Sequence, residues 1–377
     1  MPGWEIINDE EKKALVNLFN EGGIFFAHGF DNFRKKYHVR EFETNSRNKF
    51  KSKFAVAVTS GTAAIKIALK AIGVKRGDEV ITQGFNFIAT IEAILDIGAI
   101  PIITNVDKSL NMSTIDLKKL ITKKTKAIIP VHMLGVPAEM DEINKIAKKY
   151  KLRILEDNCE AVGGMYKNKY LGSIGDVGVA SYDFSKTITC GEGGMIFTNN
   201  KKIFKYCKEY HDHGHENNPK LKRGEDSRSI VGFNYRMTEL QAVVGKVQLK
   251  KIDFILKENK KRYLEIEKVL KKKYELRRIP KNSKIIYDTF IFFEKNKLKR
   301  NQIVKLLNKT KFGTKNLPDA IKWHCAYYWD HALPKQQINR VKKTNDLLKA
   351  SIAIPISLKK NIKQYQDLAN KILKISK

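Results

Sequence analysis

Between residues 54 and 157 the chain alternates short apolar runs with helix-length stretches, and no other feature restricts its fold as much. The runs are Phe54–Val58, Glu79–Thr82, Pro101–Ile103, Lys126–His132 and Leu152–Asp157. Each is strand-long and lacks the polar alternation of a half-exposed sheet, so each reads as a strand covered on both faces. Helical patterns fill the gaps, among them Ala63–Ile72 and Met140–Tyr150. Parallel strands need crossover connections, and the crossing helices must pack on the sheet faces. The expected class is α/β, with a mostly parallel sheet flanked by helices. Ligands of such sheets bind beyond the carboxyl ends of the strands, where Ser60, Asn86, His132 and Asp157 fall.

At 377 residues the chain has room for two domains. The reading places a large domain at 1–250, opened by helical segments (Glu11–Phe19 and Arg40–Phe50), and a smaller α+β domain at 251–377. A long amphipathic helix, Leu249–Leu270, joins them. A strand at Ile285–Phe293, a helix at Gln302–Leu307 and further segments ending in Ile352–Ile356 are expected in the second. With 42% hydrophobic and 30% charged residues, the composition is that of a folded globular protein. No stretch approaches the ~20 consecutive apolar residues of a membrane span. The opening MPGWEIINDEEKK has no apolar core of the secretory kind, so a cytoplasmic protein is expected. Cys159, Cys190, Cys207 and Cys325 are too irregularly spaced for a zinc site or disulfide framework and read as free thiols. The net charge of +32 raises nucleic-acid binding. However, the lysines are spread over the whole chain, and no basic arm or ribonucleoprotein motif accompanies them. The positive field favours anionic small substrates instead.

Chemistry concentrates in a few places. Ser60-Gly61-Thr62-Ala63-Ala64 joins a strand to a helix start, which offers hydroxyls and backbone N–H groups to an anion, although ordinary capping uses the same residues. Phe87 lies at the next strand-to-helix junction, where an aromatic faces either a planar ligand or the core. Asp157 closes a buried strand, a costly place for a carboxylate without a partner. Lys186 sits alone between the apolar run ending in Ser181 and the cluster Gly191-Glu192-Gly193-Gly194; in isolation it reads as a surface hairpin lysine. Residues 211–228 form a long polar loop carrying His211, His213 and His215, without the accompanying ligands of a metal site. No metal is expected. Cys190 reads as a small packing residue.

An anion cradle, an acid and a lone lysine near one sheet edge are what pyridoxal phosphate requires. Its phosphate takes N–H groups and hydroxyls, its ring nitrogen a carboxylate, and its aldehyde a lysine. Ser60–Ala64, Glu156-Asp157-Asn158, Gly172-x-x-Gly175-Asp176, Lys186 with Gly191–Gly194, and Gly232-Phe233-Asn234-Tyr235-Arg236-Met237 occur in the order seen in the DegT/DnrJ/EryC1/StrS family of sugar aminotransferases, which the chain resembles over nearly its whole length. The resemblance implies the fold type I (aspartate aminotransferase-like) architecture, pyridoxal 5′-phosphate, and a homodimer with active sites at the interface. It implies Lys186 as the Schiff-base lysine and proton shuttle and Asp157 as the ring-nitrogen partner. Phe87 would stack on the ring; Gly61, Thr62, Ala63 and Ser181 would hold the phosphate; Asn234 would reach in from the neighbouring subunit. Glu160 fills a position often held by glutamine or histidine near the ring hydroxyl, so its carboxylate is expected either protonated or turned away. His211, His213, His215 and Arg236 are expected to contact substrate.

A family branch with histidine in place of the lysine performs sugar 3-dehydration, and Lys186 speaks against that chemistry. The expected reaction moves an amino group, with glutamate as donor, to a keto or aldehydo sugar. The Met1–Glu5 opening, the Lys186–Gly194 run and Asp212-His213-Gly214-His215 look most like the branch that aminates 8-oxo-3,8-dideoxy-manno-octulosonate, a lipopolysaccharide sugar. The alternative is a nucleotide-linked 4- or 3-keto-hexose for a surface glycan. More remote is a non-catalytic regulator on the same fold.

Overall fold

The computed structural model describes residues 3–218 and 220–376. Met1 and Pro2 of the opening run and Pro219 of the polar loop lie outside the described residues. Helices α1 (Asp9–Asn20) and α2 (His38–Phe50) come first, α1 started by a capping box between Asn8 and Glu11. The expected alternation follows: β1 (Phe54–Val58), α3 (Gly61–Ala71), β2 (Glu79–Gln83), α4 (Ala89–Asp96), β3 (Ile100–Thr104), α5 (Thr114–Leu120), β4 (Thr125–Ile128), α6 (Met140–Tyr150) and β5 (Arg153–Asp157). A short hairpin, β6 (Met165–Tyr166) and β7 (Lys169–Tyr170), leads to β8 (Val177–Ser181), β9 (Gly194–Thr198) and α7 (Lys201–Tyr210).

The seven-stranded sheet has the order β1-β9-β8-β5-β4-β2-β3. Its strands run parallel from β3 through β8, and β9 is antiparallel to β1 and β8. Side chains alternate across it, as strand geometry dictates. Val56 and Val58 join a core under α3 with Ile67, Val179 and Ile196, whereas Ala55 and Ala57 join a second with Phe42, Tyr182, Met195 and Ile252. Sheets with both faces covered need apolar runs without alternation, which the sequence shows. The strand expected at Lys126–His132 ends at Ile128. Pro130 has no N–H to donate, and beyond it only an isolated bridge, Val131 to Asp157, continues the pairing.

Thr238 and Gln241 form a second capping box that starts α8 (Glu239–Leu270), one helix of 32 residues that begins ten residues before the expected Leu249. At 1.5 Å per residue it is about 48 Å long, and position 250 lies inside it. After it come β10 (Glu275–Leu276), β11 (Ser283–Lys284), β12 (Thr289–Phe293), α9 (Lys297–Lys309), α10 (Ile321–His324), α11 (Lys335–Arg340), α12 (Lys342–Lys349), β13 (Ser351–Pro355) and α13 (Ile362–Ser376). The strand expected over Ile285–Phe293 is confined to its second half, because Tyr287 is left-handed (φ 57°) and breaks the extended run. β12 is the middle of the antiparallel sheet β10-β12-β13, whose core of Phe290, Phe292, Ile352 and Ile354 is covered by Tyr263, Ile303 and Tyr365. This is the smaller C-terminal part. Among the described residues no helix is long and apolar enough to cross a membrane.

Candidate active site

Beyond the carboxyl ends of the sheet strands opens a cavity of about 690 Å³, a size typical of small-molecule sites. The turn after β1 brings Ser60, Gly61 and Thr62 to its wall, the turn after β2 brings Asn86 and Phe87, and the end of β5 brings Asp157, Cys159 and Glu160. Ser181, Asp183 and Lys186 follow from β8, and Lys315, Asn316 and His324 face them from the C-terminal part.

The first turn of α3 leaves backbone N–H groups without intrahelical acceptors. Ser60 caps it, its Oγ accepting from the Ala63 N–H at 3.1 Å. The Ala63 N–H is thereby engaged, and Ala63 is buried behind Gly61 and Thr62 rather than on the cavity wall. Asp157 is buried, its Oδ2 accepting from Thr90 Oγ1 (2.8 Å) and its Oδ1 from the Cys159 N–H (3.1 Å). It forms no ion pair among the described residues. Thr90 lies one helical turn beyond Asn86 and also reaches Asn86 Oδ1 at 3.3 Å. The Asn86 amide nitrogen is buried without a hydrogen-bond partner. Phe87 is 45% exposed and packs at 5.9 Å against the His324 ring.

Lys186 Nζ lies 3.6 Å from Glu160 Oε1. Burial penalises the ammonium, yet Glu160, then Cys159, Asp183 and Asp157, hold the Lys186 pKa above the ordinary lysine value. Burial likewise works against the Glu160 carboxylate, but Lys186, Lys315 and His324 pull its pKa down to about 2. Its Oε2 accepts from the Leu134 N–H at 3.2 Å. Glu160 thus faces the lysine, with its pKa held below the ordinary carboxylate value.

Other singled-out motifs serve packing. Glu156 accepts from the N–H groups of Gly172 (2.9 Å), Ile174 (2.5 Å) and Gly175 (2.6 Å), which accounts for the Gly172-x-x-Gly175 turn. His132 Nδ1 accepts from the Ala138 N–H (3.1 Å), so Nε2 carries the proton and donates to Glu156 at 3.0 Å. A Cβ on Gly194 would stand 2.2 Å from the Ser60 carbonyl; the glycine lets β9 pass against the start of α3. Cys190 is buried, its Sγ 3.2 Å from the Glu192 carbonyl.

His211, His213, His215, Asn234 and Arg236 do not line this cavity. Arg236 pairs with buried Asp212 at 2.6 Å, and Asp212 bridges Asn234 in the backbone. His211 is buried, with Nδ1 against the Lys208 carbonyl at 2.6 Å, and burial brings its pKa down to about 4. Among the described residues no group of three or more His, Cys, Asp or Glu is placed to hold a metal. The sequence reading passed over Thr90, Cys159, Lys315, Asn316 and His324. Thr90 carries a helical-spacing signal from Asn86 and Cys159 adjoins the Glu156-Asp157-Asn158 motif; Lys315, Asn316 and His324 come from segments without any local motif.

Residues 28–373 match the DegT/DnrJ/EryC1/StrS aminotransferase family. The chain is 36% identical over 258 residues to a GDP-perosamine synthase of Escherichia coli O157:H7, covering 68% of each chain. An aminotransferase from Psychrobacter cryohalolentis superposes with a TM-score of 0.85 at 27% identity, over 98% of this chain and 97% of that one. A GDP-4-keto-6-deoxymannose-3-dehydratase with a trapped PLP-glutamate geminal diamine superposes with a TM-score of 0.80 at 25% identity, over 97% and 98%. The architecture is that of the fold type I aminotransferases, as expected.

Proposed function

The chain belongs to the DegT/DnrJ/EryC1/StrS aminotransferase family, and on that premise we propose that it moves an amino group from glutamate to a keto-6-deoxy hexose carried on a nucleotide. That it is a pyridoxal phosphate-dependent sugar aminotransferase follows from the family. The acceptor is our reading, and the observation that carries it is the likeness to GDP-perosamine synthase. The octulosonate favoured by the sequence motifs has no such support from the relatives named above.

The residues present fit pyridoxal phosphate. Gly61, Thr62 and Ser181 line the cavity at the start of α3 and would hold the phosphate there. Asp157 is a buried carboxylate awaiting a cation, and the unpartnered Asn86 amide beside it awaits an acceptor. Phe87 offers an exposed ring on the same wall. When bound, the cofactor supplies an aldehyde for the donor amine and an electron-withdrawing ring. Asp157 keeps that ring protonated. Lys186 takes the proton from the donor Cα and returns one to the acceptor carbon, and must be neutral to do so. Glu160 favours its ammonium form, and a cationic ring held in the cavity would oppose this and favour the neutral amine.

We assign Asn234 to the neighbouring subunit's cavity in a homodimer. The support is that it misses its own cavity and is flanked by Val231 (81% exposed) and Phe233 (47% exposed). Light scattering that finds a monomer at working concentration would remove this assignment.

The test loads the protein with pyridoxamine phosphate and offers GDP-4-keto-6-deoxymannose and the octulosonate aldehyde separately. Amination of the nucleotide sugar, read by mass spectrometry, is expected. Amination of the octulosonate alone overturns the acceptor and leaves the family standing.

A further inference from the structure

The Gly3-Trp4-Glu5 run lies outside the cavity yet grips the turn that carries Lys186. The Gly3 N–H donates to the carbonyl of Lys186 itself at 3.3 Å. Trp4 stacks on Phe184, with ring centroids 5.7 Å apart and planes 24° from parallel. The Lys359 ammonium sits 4.0 Å from the centroid of the Trp4 ring. Glu5 accepts from Ser357 Oγ and from the Leu358 N–H, each at 2.7 Å. These residues follow β13, whose Pro355 lines the cavity. A second thread reaches the far side of the turn: buried Glu11 accepts from Gln248 Nε2 (2.7 Å), and Gln248 Oε1 accepts from the Thr189 N–H (3.4 Å).

Bonds inside the turn are local. The Lys186 N–H donates to the Asp183 carbonyl and the Cys190 N–H to the Tyr182 carbonyl, both at 3.0 Å. They fix the shape of the turn but not its place against the C-terminal part. We infer that residues 3–5 are a clasp that positions Lys186 by tying its turn to the 357–359 segment. The inference rests on Lys186 being the reacting lysine of the proposed transamination. A proton carrier misplaced by about 1 Å forfeits much of its effect, so the clasp matters to turnover rather than to folding. Gly3 is required for it: a Cβ there would stand 2.7 Å from the Lys186 carbonyl oxygen and 3.1 Å from Ile188 backbone atoms, none of which can swing aside.

Amide hydrogen exchange of the cofactor-free protein tests this in Gly3→Ala, Trp4→Ala and Trp4→Phe. Residues 183–190 should exchange about ten-fold faster in the first two and return to wild-type rates in Trp4→Phe, with β4 and β5 protected as before. In the loaded enzymes kcat should fall in Gly3→Ala and Trp4→Ala, with the donor KM within about two-fold. Should Gly3→Ala fail to fold, the two Trp4 variants decide. Wild-type protection of 183–190 in Trp4→Ala, or protection lost evenly across the sheet, overturns the clasp. Borohydride trapping of the cofactor on Lys186 is read separately: its failure removes the proposed function and leaves the exchange result to judge the clasp.

Discussion

Two polar clusters stood out in the sequence, and the fold treats them oppositely. Around Lys186 the charges are loosely answered: the Lys186–Glu160 distance of 3.6 Å exceeds hydrogen-bond range, and the buried Asn86 amide has no partner. Around Asp212 the groups lie away from the cavity and the central pair is short. Arg236 meets Asp212 at 2.6 Å, its guanidinium lies 4.8 Å from the Phe26 ring centroid, and the His28 and His211 rings meet edge-on at 5.7 Å. The His213 N–H donates to the Phe233 carbonyl and the Tyr235 N–H to the His211 carbonyl, which sews the polar loop to the 232–237 segment. Histidines and arginine suggested chemistry at the second cluster. What distinguishes the first cluster is that its loosely answered groups face the cavity, which those of the second do not.

The sharpest way to break this contrast is to remove one residue from each. Lys186→Ala should lower kcat/KM by about 10⁴-fold and abolish borohydride fixation of the cofactor, since proton transfer and cofactor attachment are both lost. A loss below ten-fold in steady-state assays would disqualify Lys186. Asp157→Asn should follow at about 10²- to 10³-fold, because the amide keeps the shape of the side chain, its oxygen still accepting from the Cys159 N–H and its NH2 donating to Thr90 Oγ1, but would no longer stabilise a protonated ring. A variant with normal turnover and normal cofactor affinity would refute that pairing. Asp212→Ala should do the reverse and act on stability. Its side chain is fully buried against Arg236, and stripping one partner from such a pair costs about 3 kcal/mol. Urea unfolding checks this; a change below about 0.5 kcal/mol would mean the cluster is not the brace described.

The sheet was legible because buried parallel strands leave uninterrupted apolar runs, and Lys186 only in company with the anion cradle, Asp157 and the ordered motifs, since alone it reads as a surface hairpin lysine. The opposite wall was not. Thr314, Lys315 and Asn316 reach the cavity from the C-terminal part, and His324 arrives on a four-residue helix. Nothing local in those segments announces a site, since their placement depends on how the two parts pack. Glu156 shows how strand geometry separates neighbours. It shares with Asp157 the end of β5, but successive strand residues point to opposite faces; one meets the cavity and the other ties down the Gly172–Gly175 turn. Tyr287 shortened a strand that composition favoured, because a left-handed residue leaves no trace in apolar patterning.

The smallest effect separates the two clusters by pH. In the folded protein the His211 pKa is about 4, against an ordinary 6.5. Between those values the unfolded chain binds a proton there and the folded chain does not. The stability His211 contributes is therefore full above pH 6.5 and drains as the pH falls toward 4. Glu160, at about 2 against 4.5, drains in a lower window, from 4.5 toward 2. Each slope is bounded by one proton, about 1.4 kcal/mol per pH unit. Thermal melts of the cofactor-free protein from pH 7 to 3 should show His211→Gln flatter than wild type above pH 4.5, and Glu160→Gln flatter only below it. Parallel wild-type and His211→Gln curves between pH 6.5 and 4 would mean that water reaches the second cluster. The contrast between the two clusters would then rest on the cavity-facing lysine alone.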